Sequence, residues 1–335
     1  MSDRAGIMGV DILHIPVMAK EVIEFLPPVT EGIFIDATVG FGGHAKEILS
    51  EYPRVVLVGI DRDPEAVTTA TENLRGFQNR AIVLHGRYDE EGIFEKAIVS
   101  ANEIAGRPGK APEVMAVLFD LGVNSYQLDE AGRGFSYMKS GSLDMRMDTS
   151  KGETASEFLQ KVSFEDLKAL LYANGEYKYA GKLAKEIIAC RPVKTTEELS
   201  QIVEASIPKS MRRRGHPAKR VFQALRIAVN EEIVFLADAV ARAFEVLATG
   251  GRLLVLSYHS GEDRIIKTSF NLLADGGCKC PKSLPCRCGA VIKGKLLTRR
   301  SLTPGKEEID RNSRAASARF RAIEKIQPIY LKDLP

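Results

Sequence analysis

Residues 36–45 read Asp36-Ala37-Thr38-Val39-Gly40-Phe41-Gly42-Gly43-His44-Ala45. The apolar run Ile33-Phe34-Ile35 precedes them, and a helical pattern over residues 43–51 follows. A strand that feeds a glycine-rich turn and then a helix is the opening unit of a nucleotide-binding α/β sheet. Glycines let the chain turn sharply and approach a ligand closely, while the first N–H groups of the helix stay free to face it. Gly40, Gly42 and Ala45 fit the pattern G-x-G-x-x-A. The next run, residues 55–60, shows no polar alternation, as expected of a strand buried on both faces, and it is followed by Asp61. A carboxylate at that point can accept hydrogen bonds from both hydroxyls of a ribose. A tight turn without a ligand would account for the glycines but not for the acid. Spacing alone does not separate a nicotinamide dinucleotide from S-adenosylmethionine.

Working outward, Asp63-Pro64 supplies a helix start, with Asp as N-cap and Pro in the first helical position. Residues 81–84 read as a third strand, 90–105 as a helix and 114–119 as a fourth strand. This β-α-β-α-β-α-β order predicts a doubly wound parallel sheet with its strand C-termini along one ligand-binding edge. The alternation stops after Asp120. Residues 125–216 are loop and helical in character. Ser163-Phe164-Glu165-Asp166 resembles a capping box, and Thr195-Thr196-Glu197-Glu198 matches one. Strand-like sequence resumes at 252–257, after a long helix that Pro217 starts and Gly250-Gly251 end. The expected organisation is therefore one discontinuous sheet domain, 1–124 and 217–335, interrupted by a helical insertion at 125–216. Two sequential domains would leave the first sheet with only four strands.

The 335 residues carry 47 Lys+Arg against 44 Asp+Glu, for a net charge of +3, with 44% hydrophobic and 27% charged residues. Those proportions exclude a disordered chain, a collagen-like fibre and a small disulfide scaffold. No run approaches the roughly 18 apolar residues of a membrane span. The first ten residues lack a basic segment followed by an apolar one, so no secretion signal is expected. Five cysteines, four of them within 278–288, fit a reduced, cytoplasmic compartment. Cys278-x-Cys280 and Cys286-x-Cys288 offer four thiolates to zinc, but C-x-C departs from the usual C-x2-C spacing, and no metal is assigned. Charge placement says more than net charge. Between residues 205 and 230 there are seven basic residues (Lys209, Arg212, Arg213, Arg214, Lys219, Arg220, Arg226) and no acid. Between 276 and 306 there are eight more, again with no acid. Phosphate contacts are the natural use of such segregated charge.

Further candidates cluster at the strand ends. Asp120 closes the fourth strand and points to the crevice where the reactive end of a nucleotide would lie. Tyr88, just past the third strand, can cover an adenine or attract a sulfonium through its π face, or simply pack. His259 follows the fifth strand and either serves chemistry there or caps a helix beginning near Glu262. The stretch 143–148, Leu-Asp-Met-Arg-Met-Asp, reads as a solvated loop with an internal ion pair.

From about His14 to Lys325 the chain resembles the ribosomal small-subunit methyltransferase H family, also called MraW. The resemblance rests on His14-Ile15-Pro16-Val17, Asp36–Ala45, Gly59-Ile60-Asp61-Arg62-Asp63-Pro64 and Asp120-Leu121-Gly122-Val123. It continues through Arg133-Gly134-Phe135-Ser136, residues 143–148, His216-Pro217-Ala218, Phe222-Gln223-Ala224-Leu225-Arg226-Ile227 and Glu262-Asp263-Arg264. It implies a Rossmann-like class I S-adenosylmethionine-dependent methyltransferase sheet that methylates N4 of a cytosine in the decoding centre of 16S rRNA. It further implies that Gly42, Gly43, His44, Asp61, Tyr88, Asp120 and Gln127 contact the methyl donor, and that the inserted helical unit recognises the substrate. The chain departs from the family pattern at Asn124-Ser125-Tyr126-Gln127, where Ser-Ser-Pro-Gln is usual, and at Gly261, where Leu is usual.

Methyl transfer to an exocyclic amine needs the N4 lone pair freed and a proton removed, so a hydrogen-bond acceptor beside the amine helps. Asp120, a nearby backbone carbonyl, Asn124 and His259 are the candidates, and none is singled out as the base. The Asp/Asn-Pro-Pro-Tyr/Phe tetrapeptide of amino-directed DNA methyltransferases is missing. Asp120-Leu121-Gly122-Val123 stands in its place. The competing readings are a nicotinamide-dependent oxidoreductase and an rRNA-binding assembly factor without chemistry.

Overall fold

The computed structural model describes residues 16–106, 113–123, 125–175, 178–208, 216–281 and 286–331. Seven strands form one sheet: β1 (Gly32–Asp36), β2 (Val55–Asp61), β3 (Ala81–His85), β4 (Val114–Asp120), β5 (Leu247–Ser257), β6 (Val291–Leu296) and β7 (Arg319–Tyr330). Their order is β3-β2-β1-β4-β5-β7-β6. The first five pair in parallel, as the crossover rule requires, and β7 runs antiparallel between β5 and β6. β6 and β7 give no clear signal in sequence. Lys and Gly interrupt β6, and only part of β7 is buried.

Successive strands run outward from β1 in one direction and from β4 in the other, which opens a crevice between those two strands. The register places the acids there. Asp36 at the end of β1 sits level with Gly59 of β2 and Leu118 of β4. Asp61 and Asp120 each lie two residues further on, so they flank β1 at the same height.

Each face of the sheet carries its own core. Ile33, Ile35, Val58, Val117 and Phe119 pack on one side with Phe94, Val240 and Phe244. Phe34, Leu57, Leu118 and Leu254 pack on the other with Ile48 and Phe320. Truncating a fully buried ring such as Phe119 to Ala would cost about 3–5 kcal/mol in lost burial and cavity formation. β2 is buried along all but its last residue, which is why it reads as an unbroken apolar run.

A third core belongs to the helices between β4 and β5. Leu159, Leu167, Leu171, Leu183, Val203 and Leu225 are all fully buried together. Thr195 closes the expected capping box with Glu198. At Ser163 the side chain accepts the Asp166 N–H, but Asp is one methylene short of Glu, and its carboxylate takes the Ser163 hydroxyl instead.

Three expectations are corrected. The single helix from Pro217 to Gly250 is two helices, Ala218–Asn230 and Leu236–Val246, broken where Glu231 takes a left-handed conformation at φ 52°. The first of them buries Val221, Phe222 and Leu225 in the helical core rather than on the sheet. Gly250 and Gly251 lie inside β5, at an irregularity of the β4–β5 pairing, and do not cap a helix. A Cβ on Gly251 would come 3.0 Å from the Val114 carbonyl oxygen, so close strand approach requires that glycine.

Candidate active site

The glycine turn and Asp61 form one hydrogen-bonded unit. Asp61 Oδ2 accepts the Gly40 N–H at 2.8 Å, and Oδ1 accepts the Asp63 N–H at 2.9 Å. Each oxygen keeps acceptor capacity for a further donor. Burial pushes the Asp61 pKa up to about 6, against the pull of those two N–H groups. Gly42, at φ 85°, turns the chain into the helix Gly43–Glu51; a Cβ there would be strained and would also press on Leu74 at 3.3 Å.

Asp120 is held from three sides. Its Oδ1 accepts the Tyr258 hydroxyl at 2.6 Å, and His44 Nε2 lies 3.3 Å from its Oδ2. Its backbone N–H donates to Thr38 Oγ1 at 2.6 Å. His44 sits in the first turn of its helix and is buried. Burial disfavours its charge, but Asp120, with Asp36 and Glu308 behind it, outweighs that effect and raises the imidazole pKa. Nδ1 of the same ring is buried with no hydrogen-bond partner among the described residues. Asp36 is 2% exposed and accepts the Thr38 N–H at 3.2 Å. Burial drives its pKa to about 7, opposed mainly by His44. Burial and then the Asp120 carboxylate raise the Tyr258 phenol well above its ordinary range.

Asp36 and Tyr258 extend the set expected from sequence. Both stand at strand C-termini, so the positional rule that singles out Asp61 and Asp120 applies equally to them.

The remaining expected residues divide. Gly42, Gly43, His44, Asp61 and Asp120 meet at the crevice. Gln127 is buried and reaches it through an intermediary: its Nε2 donates to Asp63 Oδ2 at 2.8 Å, and the Asp63 N–H holds Asp61. Tyr88 packs edge-on against Phe119 of β4, centroids 5.5 Å apart, and burial is the first cause of its raised pKa. His259 takes the capping role. Its Nδ1 accepts the N–H groups of Gly261 and Glu262 at the start of the helix Ser260–Asp275, and Nε2 lies 3.1 Å from Glu262 Oε1. Asn124 lies outside the described residues. At the two departures from the family pattern, Tyr126 packs its ring on Phe41 of the glycine turn at 5.7 Å. A Cβ on Gly261 would come 3.0 Å from the His259 ring, so the small residue leaves room for the cap.

Residues 143–148 are not solvated. Arg146 does form a two-pronged ion pair with Asp144, both contacts 2.8 Å. However, Leu143 and Met145 are fully buried in the helical core. Asn230 fixes this segment, donating to the Met145 carbonyl at 2.7 Å and accepting the Met147 N–H at 2.8 Å.

The basic stretches also resolve differently. Lys209, Arg212, Arg213 and Arg214 lie outside the described residues. Arg226 is not a surface cation, since it clamps Glu232 with two contacts of 2.8 Å. In the second stretch, Leu302 bridges to Phe320, beside the Arg319–Ser257 pair, which carries exposed Arg299 and Arg300 to the crevice edge, where they join exposed Arg319 of β7.

A sequence profile of the MraW methylase family matches residues 11–326. The chain belongs to that family. It is 42% identical over 320 residues to the ribosomal RNA small subunit methyltransferase H of Heliobacterium modesticaldum, covering 94% of this chain and 99% of that one. It is 44% identical over 322 residues to the protein of the same name from Nocardia farcinica, covering 94% and 96%. An rRNA methylase structure from Streptococcus thermophilus aligns over 92% of this chain and 94% of its own, at 10% identity and a TM-score of 0.37. As a member of the MraW family the protein is a methyltransferase with S-adenosylmethionine as its methyl donor. Its sheet is the expected Rossmann-like doubly wound form, with helices inserted between β4 and β5. The nicotinamide reading of the glycine turn and the non-catalytic RNA-binding reading gain no support from these relatives.

The crevice fits that donor. Asp61 retains acceptor capacity where a ribose would lie, the glycine turn offers free backbone beside it, and His44 presents a buried, unpartnered nitrogen.

Proposed function

We propose that the protein methylates the exocyclic N4 of one cytosine in the decoding centre of 16S rRNA, acting on the small ribosomal subunit in the cytoplasm. The observation that carries this reading is Asp120, fixed by Tyr258 and His44 at the switch point level with Asp61. No helix among the described residues is long and apolar enough to cross a membrane.

S-adenosylmethionine supplies an electrophilic methyl carbon when bound. The chain does the rest. Asp61 takes the ribose hydroxyls, and Gly42, Gly43 and His44 line the donor beside the helix start, while Gln127 acts at one remove through Asp63. Asp120 accepts a hydrogen bond from the cytosine N4–H, which draws the nitrogen lone pair out of conjugation and aims it at the methyl carbon. The proton that the amine loses on methylation passes to this acceptor. His259 does not compete for the role, because its ring is spent on the helix cap. The target base must leave its stack to reach this edge, and RNA is gripped through its backbone and unpaired segments. Exposed Arg299, Arg300 and Arg319 supply phosphate contacts there, and the helical unit, 125–216 with the helix Ala218–Asn230 packed onto it, recognises the substrate.

Mass spectrometry of rRNA nucleosides from cells with and without the gene tests the reading. The expected result is loss of one N4-methylated cytidine, restored by the wild-type gene and not by Asp120→Ala. An unchanged nucleoside profile overturns it.

A further inference from the structure

Two groups of metal-ligating atoms gather among the described residues. The first, Glu232, His259 and Glu262, is already committed. Arg226 clamps Glu232, and Glu262 accepts the N–H groups of Tyr258 and His259. The second, Cys278, Cys280, Cys286 and Cys288, has no such internal use.

The four sulfurs lie within 4.8 Å of one another. Cys278–Cys286, Cys286–Cys288 and Cys288–Cys278 are separated by 3.6, 3.4 and 3.6 Å. A tetrahedral zinc ion with Zn–S bonds of about 2.3 Å sets its sulfurs about 3.8 Å apart. A disulfide needs about 2.05 Å. The observed triangle is close to the first distance and far from the second. Backbone N–H groups also converge on the sulfurs. Arg287 donates to Cys280 Sγ at 3.4 Å, and the amides of Cys280 and Ala290 reach Cys278 and Cys288. Donors of this kind orient thiolate ligands and support their charge. The unusual C-x-C spacing is therefore no obstacle, because the fold brings both pairs to a common centre.

We propose that these four cysteines bind zinc in a closed structural site. Four thiolates leave no position for water or substrate, so the ion supports the fold and not the chemistry. Its location agrees. The helix Ser260–Asp275 starts at the crevice edge beside Ser257 and runs away from it, and the cysteines follow its end. β6 then begins with Val291 paired to Tyr330, at the opposite end of β7 from the Arg319–Ser257 pair. The zinc staples the helix end to an outer strand that has a neighbour on one side only.

The test uses the full chain, purified under reducing conditions without chelator. Elemental analysis is expected to find stoichiometric zinc. Cobalt substitution should give the thiolate-to-metal charge-transfer band and the intense visible bands of tetrahedral cobalt. The double variant Cys280→Ser/Cys288→Ser should lose the metal, while Cys190→Ser, an exposed cysteine outside the cluster, should keep it. Added zinc should raise the melting temperature of the metal-stripped parent and leave the double variant unmoved. Because the parent's own zinc uptake is read against a chromophoric chelator, a double variant that fails to fold leaves the test intact. A parent that takes up no zinc in that competition, or peptide mapping that finds disulfides among the four, overturns the proposal.

Discussion

Arg133 donates through Nη2 to Asp63 Oδ2 at 2.8 Å, and the same nitrogen reaches the carbonyl oxygens of Arg146 at 3.2 Å and Met147 at 3.0 Å. One guanidinium thus joins the segment anchoring the helical core to the acid that orients Asp61. Asp63 is 2% exposed. Replacing Arg133 by Met removes its cationic partner and should cost about 3 kcal/mol of stability, the scale for breaking a buried pair from one side. Urea denaturation measures it, and a midpoint equal to the parent's would show that the contact carries no weight.

Asp61→Asn should weaken S-adenosylmethionine binding by about 2 kcal/mol, or roughly thirtyfold, because charged acceptors hold hydroxyl donors more strongly than neutral ones. Isothermal calorimetry reads the change directly. Donor affinity within twofold of the parent would remove Asp61 from the ribose site.

The pH dependence of donor affinity follows from the same residue. Burial raises the Asp61 pKa to about 6, and on the proposed ribose-binding reading only the carboxylate accepts from both hydroxyls. Affinity should therefore fall as pH drops through about 6 and level off above it. In the Asp61→Asn variant the step near pH 6 should disappear.

Asp36 gives stability a slope of opposite sign. The folded chain holds the Asp36 proton up to about pH 7, against 3.8 for the ordinary carboxyl. Between those values the folded state binds more protons than the unfolded one, so stability declines as pH rises and stays low above pH 7. Asp36→Asn should be more stable than the parent at pH 8, by at most about 4 kcal/mol at 1.36 kcal/mol per pKa unit. That advantage should shrink towards pH 4. Paired urea titrations at the two pH values decide it; an advantage that grew on acidification would contradict the assignment.

Tyr258→Phe deletes the 2.6 Å hydrogen bond to Asp120 while keeping the ring that lies over Gly122. If Asp120 must be aimed, kcat should fall about tenfold, equivalent to about 1.4 kcal/mol. Donor Kd should change far less. A loss confined to donor binding would assign Tyr258 to the cofactor pocket.

The parallel half of the sheet was legible because β1, β2 and β4 are buried on both faces and end in acids, which leaves little room for another reading. Local chemistry also carried the Asp63-Pro64 helix start and the Thr195 cap, each fixed by two or three adjacent residues. What failed depended on distant partners. Glu231 breaks a helix for no reason visible in its neighbours, and Arg226 looks like a free cation until Glu232 folds back onto it. Residues 143–148 alternate charge as a solvated loop does, but Asn230 holds them in the helical core from far along the chain. Tyr258 and Asp36 were in plain view at strand ends, yet their importance comes from Asp120 and His44 meeting them across the crevice.

The β4–β5 pairing sets Asp120 level with Leu256. Everything between them must be synthesised before that contact can form. The ribosome therefore releases β1 to β4, with the glycine turn and Asp61, long before it makes the strand that closes the other side of the crevice. Joining ends so far apart adds little to the equilibrium cost, because loop entropy grows only with the logarithm of length, but it slows the search. The helices that span this gap share a buried core of their own. The nascent chain would then hold the Asp61 side of the crevice while the strand leading to Tyr258, which fixes Asp120, is still unmade.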